Sequence, residues 1–341
     1  MTIFQTLDEM DARQLLHPQE KKNKIFDLEK KPRIIVIAGP TGIGKTDLGI
    51  SLSEILDGEI ISCDSMQVYR NMDIGTAKVS KKQRENIAHH LIDIKNISEE
   101  FNVVEFYHLS HKICRDILAR GKVPILVGGS GFYIHTFLYG PPLGPPSDKE
   151  LRLKLQDQME KMGTEVMYER LQMLDPDYAH TISENDRHKI IRALEIISLT
   201  NKRVSSFSRC NKIENFYYDA RLWFLFSPKE ILFAKLDMRC EKMIEQGFIE
   251  EVKKLKEMGI TNNPVASQAI GYKQCLQFLN SKQSLEDKNN FIDEFKKVTR
   301  RYVKRQITWF RKEKNFRWIN LSEFDLERVK EFILQDFEQG Q

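Results

Sequence analysis

Long apolar runs, paired cysteines and a strong charge imbalance are all missing from this sequence. No stretch approaches the roughly 18 uncharged apolar residues of a membrane span, and the N-terminus has no apolar core of the signal-peptide kind. A cytoplasmic protein without a membrane partner is therefore expected. Cys63, Cys114, Cys210, Cys240 and Cys275 are scattered, odd in number and never in a C-x-x-C pair, which argues against a disulfide framework and a structural zinc site. The formal net charge of +4 is too small to imply a polyanionic partner, so only the distribution of charge can do so. With 341 residues, 41% of them hydrophobic, the chain has material for a real core, as two domains or as one domain carrying an insertion.

What the chain does have is a short β-branched run, Ile34 to Ala38, emptying into Gly39-Pro40-Thr41-Gly42-Ile43-Gly44-Lys45-Thr46. These eight residues match G-x-x-x-x-G-K-S/T at every fixed position, and residues 45–56 read as the helix that should follow. The glycines let the backbone curl until its N–H groups and the helix N-terminus face one anion. Lys45 adds charge, and Thr46 offers a hydroxyl to magnesium. The motif predicts an α/β fold, a P-loop NTPase-like parallel sheet flanked by helices. It leaves open which phosphorylated compound is held.

Ahead of it, residues 1–32 are charged and aperiodic and read as a tail. After it, residues 59–63 read as a second strand ending in Asp64-Ser65-Met66-Gln67, a polar cluster where open α/β sheets place ligands. Asp64 suits a site carboxylate and a helix or turn cap equally. Residues 75–78 form a polar loop able to close over a ligand. Residues 89–94 read as a third strand; its His89-His90 pair makes a poor metal site, because neighbours on a strand point to opposite faces. A helix over 101–120 and a strand over 123–127 lead to Gly128-Gly129-Ser130-Gly131, a second glycine-rich turn.

Four prolines and two glycines in residues 140–147 mark a boundary. The first part of the core thus spans 33–145, an all-helical insertion domain spans 146–205, the core resumes over 206–320, and 321–341 is a C-terminal segment. Within the insertion, Arg187, His188 and Arg192 share a helix. A strand over 221–226 precedes a helix carrying Arg239. Near the C-terminus, residues 295–312 read as a basic helix, with Phe295, Val298, Tyr302 and Trp309 turned inward and Lys297, Arg301, Lys304 and Arg305 outward. Basic residues beside aromatics favour nucleic acid over an anionic membrane, since the apolar stripe is better used as core.

Residues 39–46, 64–78, 127–133, 185–195 and the Ala269-Ile270-Gly271-Tyr272-Lys273 run together resemble the bacterial tRNA dimethylallyltransferases, in one order over residues 33–318. The resemblance implies transfer of a dimethylallyl group from dimethylallyl diphosphate to the exocyclic amine of the adenine immediately 3′ of the anticodon, in tRNAs reading codons that begin with U. Diphosphate is released, magnesium is the cofactor, and the partner is the tRNA anticodon stem-loop. It further implies that the P-loop holds the diphosphate, Arg239 clamps it, Thr46 ligates the metal, Asp64 takes the amine proton and Ser130 bonds near the same centre. Contacts to tRNA would come from Asp64, Ser65, Met66, Gln67, Ser130, Arg152, His188, Lys189, Ile190, Ile191 and Arg192. The family usually has threonine at position 130 and often Gln-Arg where His188-Lys189 stand. A monomer is expected. A small-molecule P-loop kinase and a motor-like nucleic-acid ATPase are the rival readings; both predict ATP consumption.

Overall fold

The computed structural model describes residues 31–207 and 217–339. Their scaffold is one parallel sheet of six strands: β1 (Arg33–Ala38), β2 (Gly58–Cys63), β3 (His89–His90), β4 (Val123–Gly128), β5 (Asp219–Phe226) and β6 (Arg317–Asn320). The spatial order is β3-β2-β4-β1-β5-β6, and each adjacent pair is parallel. The central strands are buried on both faces, as near-continuous β-branched runs in parallel sheets must be.

Register does the positioning. Ala38 of β1 and Cys63 of β2 both pair with Gly128 of β4, so these three strands end level with one another. The segments leaving them emerge side by side: 39–46, then 64–67, then 129–131.

The helices before the insertion are α1 (Lys45–Leu56), α2 (Lys81–Asn86), α3 (Val103–Ala119) and α4 (Gly131–Tyr139). Next come α5 (Lys149–Met162), α6 (Thr164–Leu174), α7 (Pro176–Ala179) and α8 (Arg187–Thr200), which bury Leu155, Met159, Met167, Leu171, Ile190 and Leu194 in a core of their own. Asp175 and Asp186 cap α7 and α8 through their carboxylates, where the sequence shows breaks. After β5 follow α9 (Lys229–Glu245), α10 (Phe248–Glu257), α11 (Tyr272–Leu279), α12 (Leu285–Phe310) and α13 (Leu326–Gln339).

Several expectations change. The third strand shrinks to His89–His90, because Leu91 and Asp93 take positive φ and turn the chain away. The basic helix begins ten residues earlier than read, at Leu285. Its buried face is Phe291, Phe295, Thr299, Val303, Gln306 and Phe310, while Trp309 stands exposed. Trp309 stands one residue before Phe310, about 100° around the helix, and so falls outside the buried stripe. The segment 321–341, given no element from sequence, forms α13, whose Val329 and Ile333 pack with Leu48 and Leu52 of α1. The tail reading for 1–32 and Cys210 fall outside the described residues, apart from Lys31 and Pro32. Cys63, Cys114, Cys240 and Cys275 are free and buried. Among the described residues, no helix is long and apolar enough to cross a membrane.

Candidate active site

The three level strand ends open into a cavity of about 680 Å³, lined by the P-loop, Asp64 to Gln67, residues 75–79, Arg239 and one face of α12. The P-loop turns on glycines where φ is positive, 76° at Gly42 and 99° at Gly44, conformations costly for side chains with a Cβ. Gly44 caps α1, so the N-terminus of that helix faces the cavity. Lys45 Nζ donates to the Pro40 carbonyl at 2.7 Å. Burial pushes the Lys45 ammonium down to about 7; repulsion from Arg239 adds to the fall, and Asp64 opposes it. Arg239 is likewise lowered by burial, with Cys240 and Asp64 working against the shift. Two half-buried basic side chains facing one glycine-rich loop favour an anion between them.

Asp64 caps a turn and lines the cavity at once. Its Oδ1 accepts from the Met66 and Gln67 amides at 2.8 and 3.3 Å, an Asx turn that fixes the carboxylate while the residue lines the cavity. Ser130, on the neighbouring β4 loop, accepts from the Ser65 amide through Oγ at 3.4 Å. Gln67 in turn bonds Ser62 and the Thr76 carbonyl, joining the strand end to the 75–78 loop. That loop is held from below. Glu251 of α10 accepts from the amides of Asp73, Ile74 and Gly75 at 2.9, 2.7 and 3.2 Å, and from the Tyr272 hydroxyl at 2.7 Å. Lys78, its side chain only 2% exposed, is bound by Asp73 and Asp93 at 2.6 Å each.

Sequence reading passes over Gln306. It is 5% exposed, its Oε1 accepts from the Thr41 amide at 3.2 Å, and its Nε2 donates to the Gly129 carbonyl at 2.9 Å. One side chain thereby ties the P-loop to the Ser130 loop. Tyr302, one turn earlier, lies within hydrogen-bonding reach of Ser130 and Gln306, and burial pushes its hydroxyl up to about 12, so it stays a neutral donor. The signal was present: a polar residue in the apolar register of an amphipathic helix must find partners or be expelled. Gln306→Leu, close in shape, strips both bonds and is expected to cost about 1–3 kcal/mol in chemical denaturation. An unchanged midpoint would show that both groups are satisfied elsewhere.

The insertion residues are distributed less simply. His188 and Lys189 are exposed on the first turn of α8, Lys189 beside Asp186 at 3.1 Å. Ile190 and Ile191 are buried in the insertion core, so as candidates for tRNA contact they act through packing: their side chains set the helix and do not form its surface. Arg152 and Arg192 both reach Glu195 Oε2, at 2.7 and 2.8 Å. Glu195 is fully buried and also accepts from Ser147 and the Asp148 amide. Burial alone would raise its pKa, but the Arg192, Arg152 and Ser147 hydrogen bonds outweigh that, and it is held below the usual carboxylate range. The two arginines therefore anchor the root of the insertion while keeping one edge each toward solvent.

His90 pairs with Glu59 and His89 with the Ile87 carbonyl; among the described residues no group of three His, Cys, Asp or Glu could hold a metal ion unaided.

Known proteins with this combination are informative. The family model described as IPP transferase matches residues 67–313. A tRNA dimethylallyltransferase of Protochlamydia amoebophila is 54% identical over 95% of this chain and 94% of its own length, and one of Chlamydia felis is 48% identical over 94% and 93%. Among solved structures, the full-length tRNA isopentenylpyrophosphate transferase of Bacillus halodurans superposes with a TM-score of 0.66 at 36% identity, covering 91% of this chain and 98% of that one. A eukaryotic dimethylallyltransferase acting on tRNA reaches a TM-score of 0.74 at 33% identity, covering 90% and 79%.

Proposed function

Since the chain belongs to the tRNA dimethylallyltransferase family, we propose that it moves a dimethylallyl group from dimethylallyl diphosphate onto the exocyclic amine of the adenine immediately 3′ of the anticodon, in tRNAs reading codons that begin with U. The observation that carries this reading is the level ending of β1, β2 and β4, which sets an anion cradle and a fixed carboxylate around one cavity, with the Ser130 hydroxyl bonded to Ser65 of its lining.

The allylic carbon–oxygen bond breaks, its electron pair leaves with the diphosphate, the adenine amine forms the new carbon–nitrogen bond, and its displaced proton passes to Asp64. Negative charge grows on the leaving group, where the P-loop amides, Lys45 and Arg239 meet it. Asp64, held by its Asx turn, needs no reorganisation to accept the proton. Ser130 and Tyr302, which lie within hydrogen-bonding reach of each other, supply hydroxyls near the same centre.

Magnesium fits the donors present. Thr46 contributes one hard oxygen beside the anion seat, and an ion that keeps waters and substrate phosphates as its remaining ligands needs little more from protein. When bound, it would neutralise leaving-group charge. We also assign a monomeric, cytoplasmic enzyme.

The decisive experiment supplies unmodified tRNA, magnesium and either labelled dimethylallyl diphosphate or labelled ATP. Label is expected in tRNA only from the first, and EDTA should abolish its entry. Hydrolysis of ATP stimulated by tRNA, without prenylation, would overturn the assignment.

Lys45 adds a pH dependence. With its pKa near 7 before ligand binds, it is mostly neutral at pH 8, and seating a diphosphate beside it must bring a proton in. Affinity for dimethylallyl diphosphate should thus weaken as pH rises above 7. Calorimetry at pH 8 in buffers of different ionisation enthalpy should show uptake close to one proton; zero uptake would mean that the lysine is already charged.

A further inference from the structure

On the elements that carry Ser130 and Arg305, two large aromatic side chains remain open to solvent. Phe132, in the first turn of α4, is 43% exposed, and Trp309, near the end of α12, is 40% exposed. Their rings meet edge to face with centroids 6.1 Å apart. The indole lies so close over Gly131 that a Cβ there would come within 2.3 Å of Trp309 Cδ1, so it packs on the residue that follows Ser130 in the chain. Cations flank it: Arg305, one turn earlier, lines the cavity, and exposed Arg311 and Lys312 follow. Single exposed apolar residues need no explanation, but an aromatic pair in mutual contact, flanked by cations and packed next to a candidate site residue, does.

The chemistry that satisfies this surface is a nucleobase with its phosphates: a π-face to stack on the indole, and anionic oxygens for the arginines and lysine. Drawing one adenine out of the loop leaves its neighbour without a stacking partner, close to Ser130. We propose that Trp309 and Phe132 form a stacking platform for the tRNA-loop base adjoining the target adenine, which makes them specificity residues for RNA and not for the prenyl donor. This rests on the tRNA reading above.

The test uses the full chain and an unmodified anticodon stem-loop RNA. Trp309→Ala should weaken RNA binding about tenfold, within the range that base–aromatic stacking supplies, whereas Trp309→Phe, which keeps a ring, should lose only about two- to threefold. The KM for dimethylallyl diphosphate should not move in either. Phe132→Ala, on a separate helix, should weaken RNA several-fold and guards against misfolding of the α12 variant. Adding RNA should quench tryptophan fluorescence, and the quench should vanish in Trp309→Phe, because Trp223 is buried and Trp318 half-buried. RNA affinity within twofold of the parent in Trp309→Ala, an undiminished quench in Trp309→Phe, or a donor KM rising in step with the RNA loss would each overturn the platform. Were RNA to quench Trp309 while no prenyl group was transferred, the proposed function would fall and the platform would stand.

Discussion

Asp64→Asn is expected to give a protein that binds both substrates within a few-fold of the parent and transfers almost nothing, with kcat lower by roughly 10² to 10⁴. Asparagine keeps the oxygen that accepts from the Met66 and Gln67 amides, so the Asx turn survives and the neighbouring residues stay in place. What disappears is the negative oxygen that takes the amine proton. An exocyclic adenine amine is a weak nucleophile whose attack leaves a proton to be removed, so the loss falls on the transition state more than on binding. Asp64→Ala removes turn and base together; a larger loss of RNA affinity there than in Asp64→Asn would measure the capping part. Equal losses of RNA binding and rate in Asp64→Asn would refute the assigned role. Rapid-quench measurement of a single turnover separates the chemical step from product release.

Lys45→Met should lower kcat/KM for dimethylallyl diphosphate by roughly 10² to 10³, the range found when one preorganised donor is taken from a developing anion. Methionine preserves much of the apolar stem, and RNA affinity should hold. Inorganic diphosphate, as a competitive inhibitor, should weaken by less than kcat falls, because charge on the leaving group is greater as the carbon–oxygen bond breaks than before. Arg239 has a consequence for the lysine itself. Its guanidinium helps to hold the Lys45 ammonium down, so removing the arginine relieves the lysine. Arg239→Gln should accordingly raise the Lys45 pKa and move the pH at which proton uptake appears toward the alkaline side. Were the uptake profile unmoved, the two side chains would not share one anion.

Much of this site was legible before any coordinate. The P-loop could be read because its chemistry is local: a β-branched strand, glycines at positions of positive φ and a helix start all lie within some twenty residues. The same holds for the second glycine turn at 128–131 and for the break at 140–147. Asp64 could be narrowed to two roles; the structure shows the turn cap and sets the carboxylate in the cavity lining. The basic helix was read from composition, but its register was set one stripe away, because a heptad-like choice through Tyr302 and Trp309 and the observed one through Thr299, Gln306 and Phe310 differ by less than one turn.

What the amino-acid order determined by itself is therefore the run of strands and helices around the glycine turns, the phosphate-cradle motif and the charge of the last long basic helix, each encoded in neighbours along the chain. Only the tertiary structure decided which distant groups complete them. Thr41 meets Gln306 across 265 residues, Glu251 cradles amides 176 to 178 residues before it, and Arg152 joins Arg192 on Glu195. The physical reason is that a hydrogen bond between remote residues leaves no periodic trace: it depends on the register of parallel strands whose connections run over whole helices, and that register is fixed only when the sheet closes.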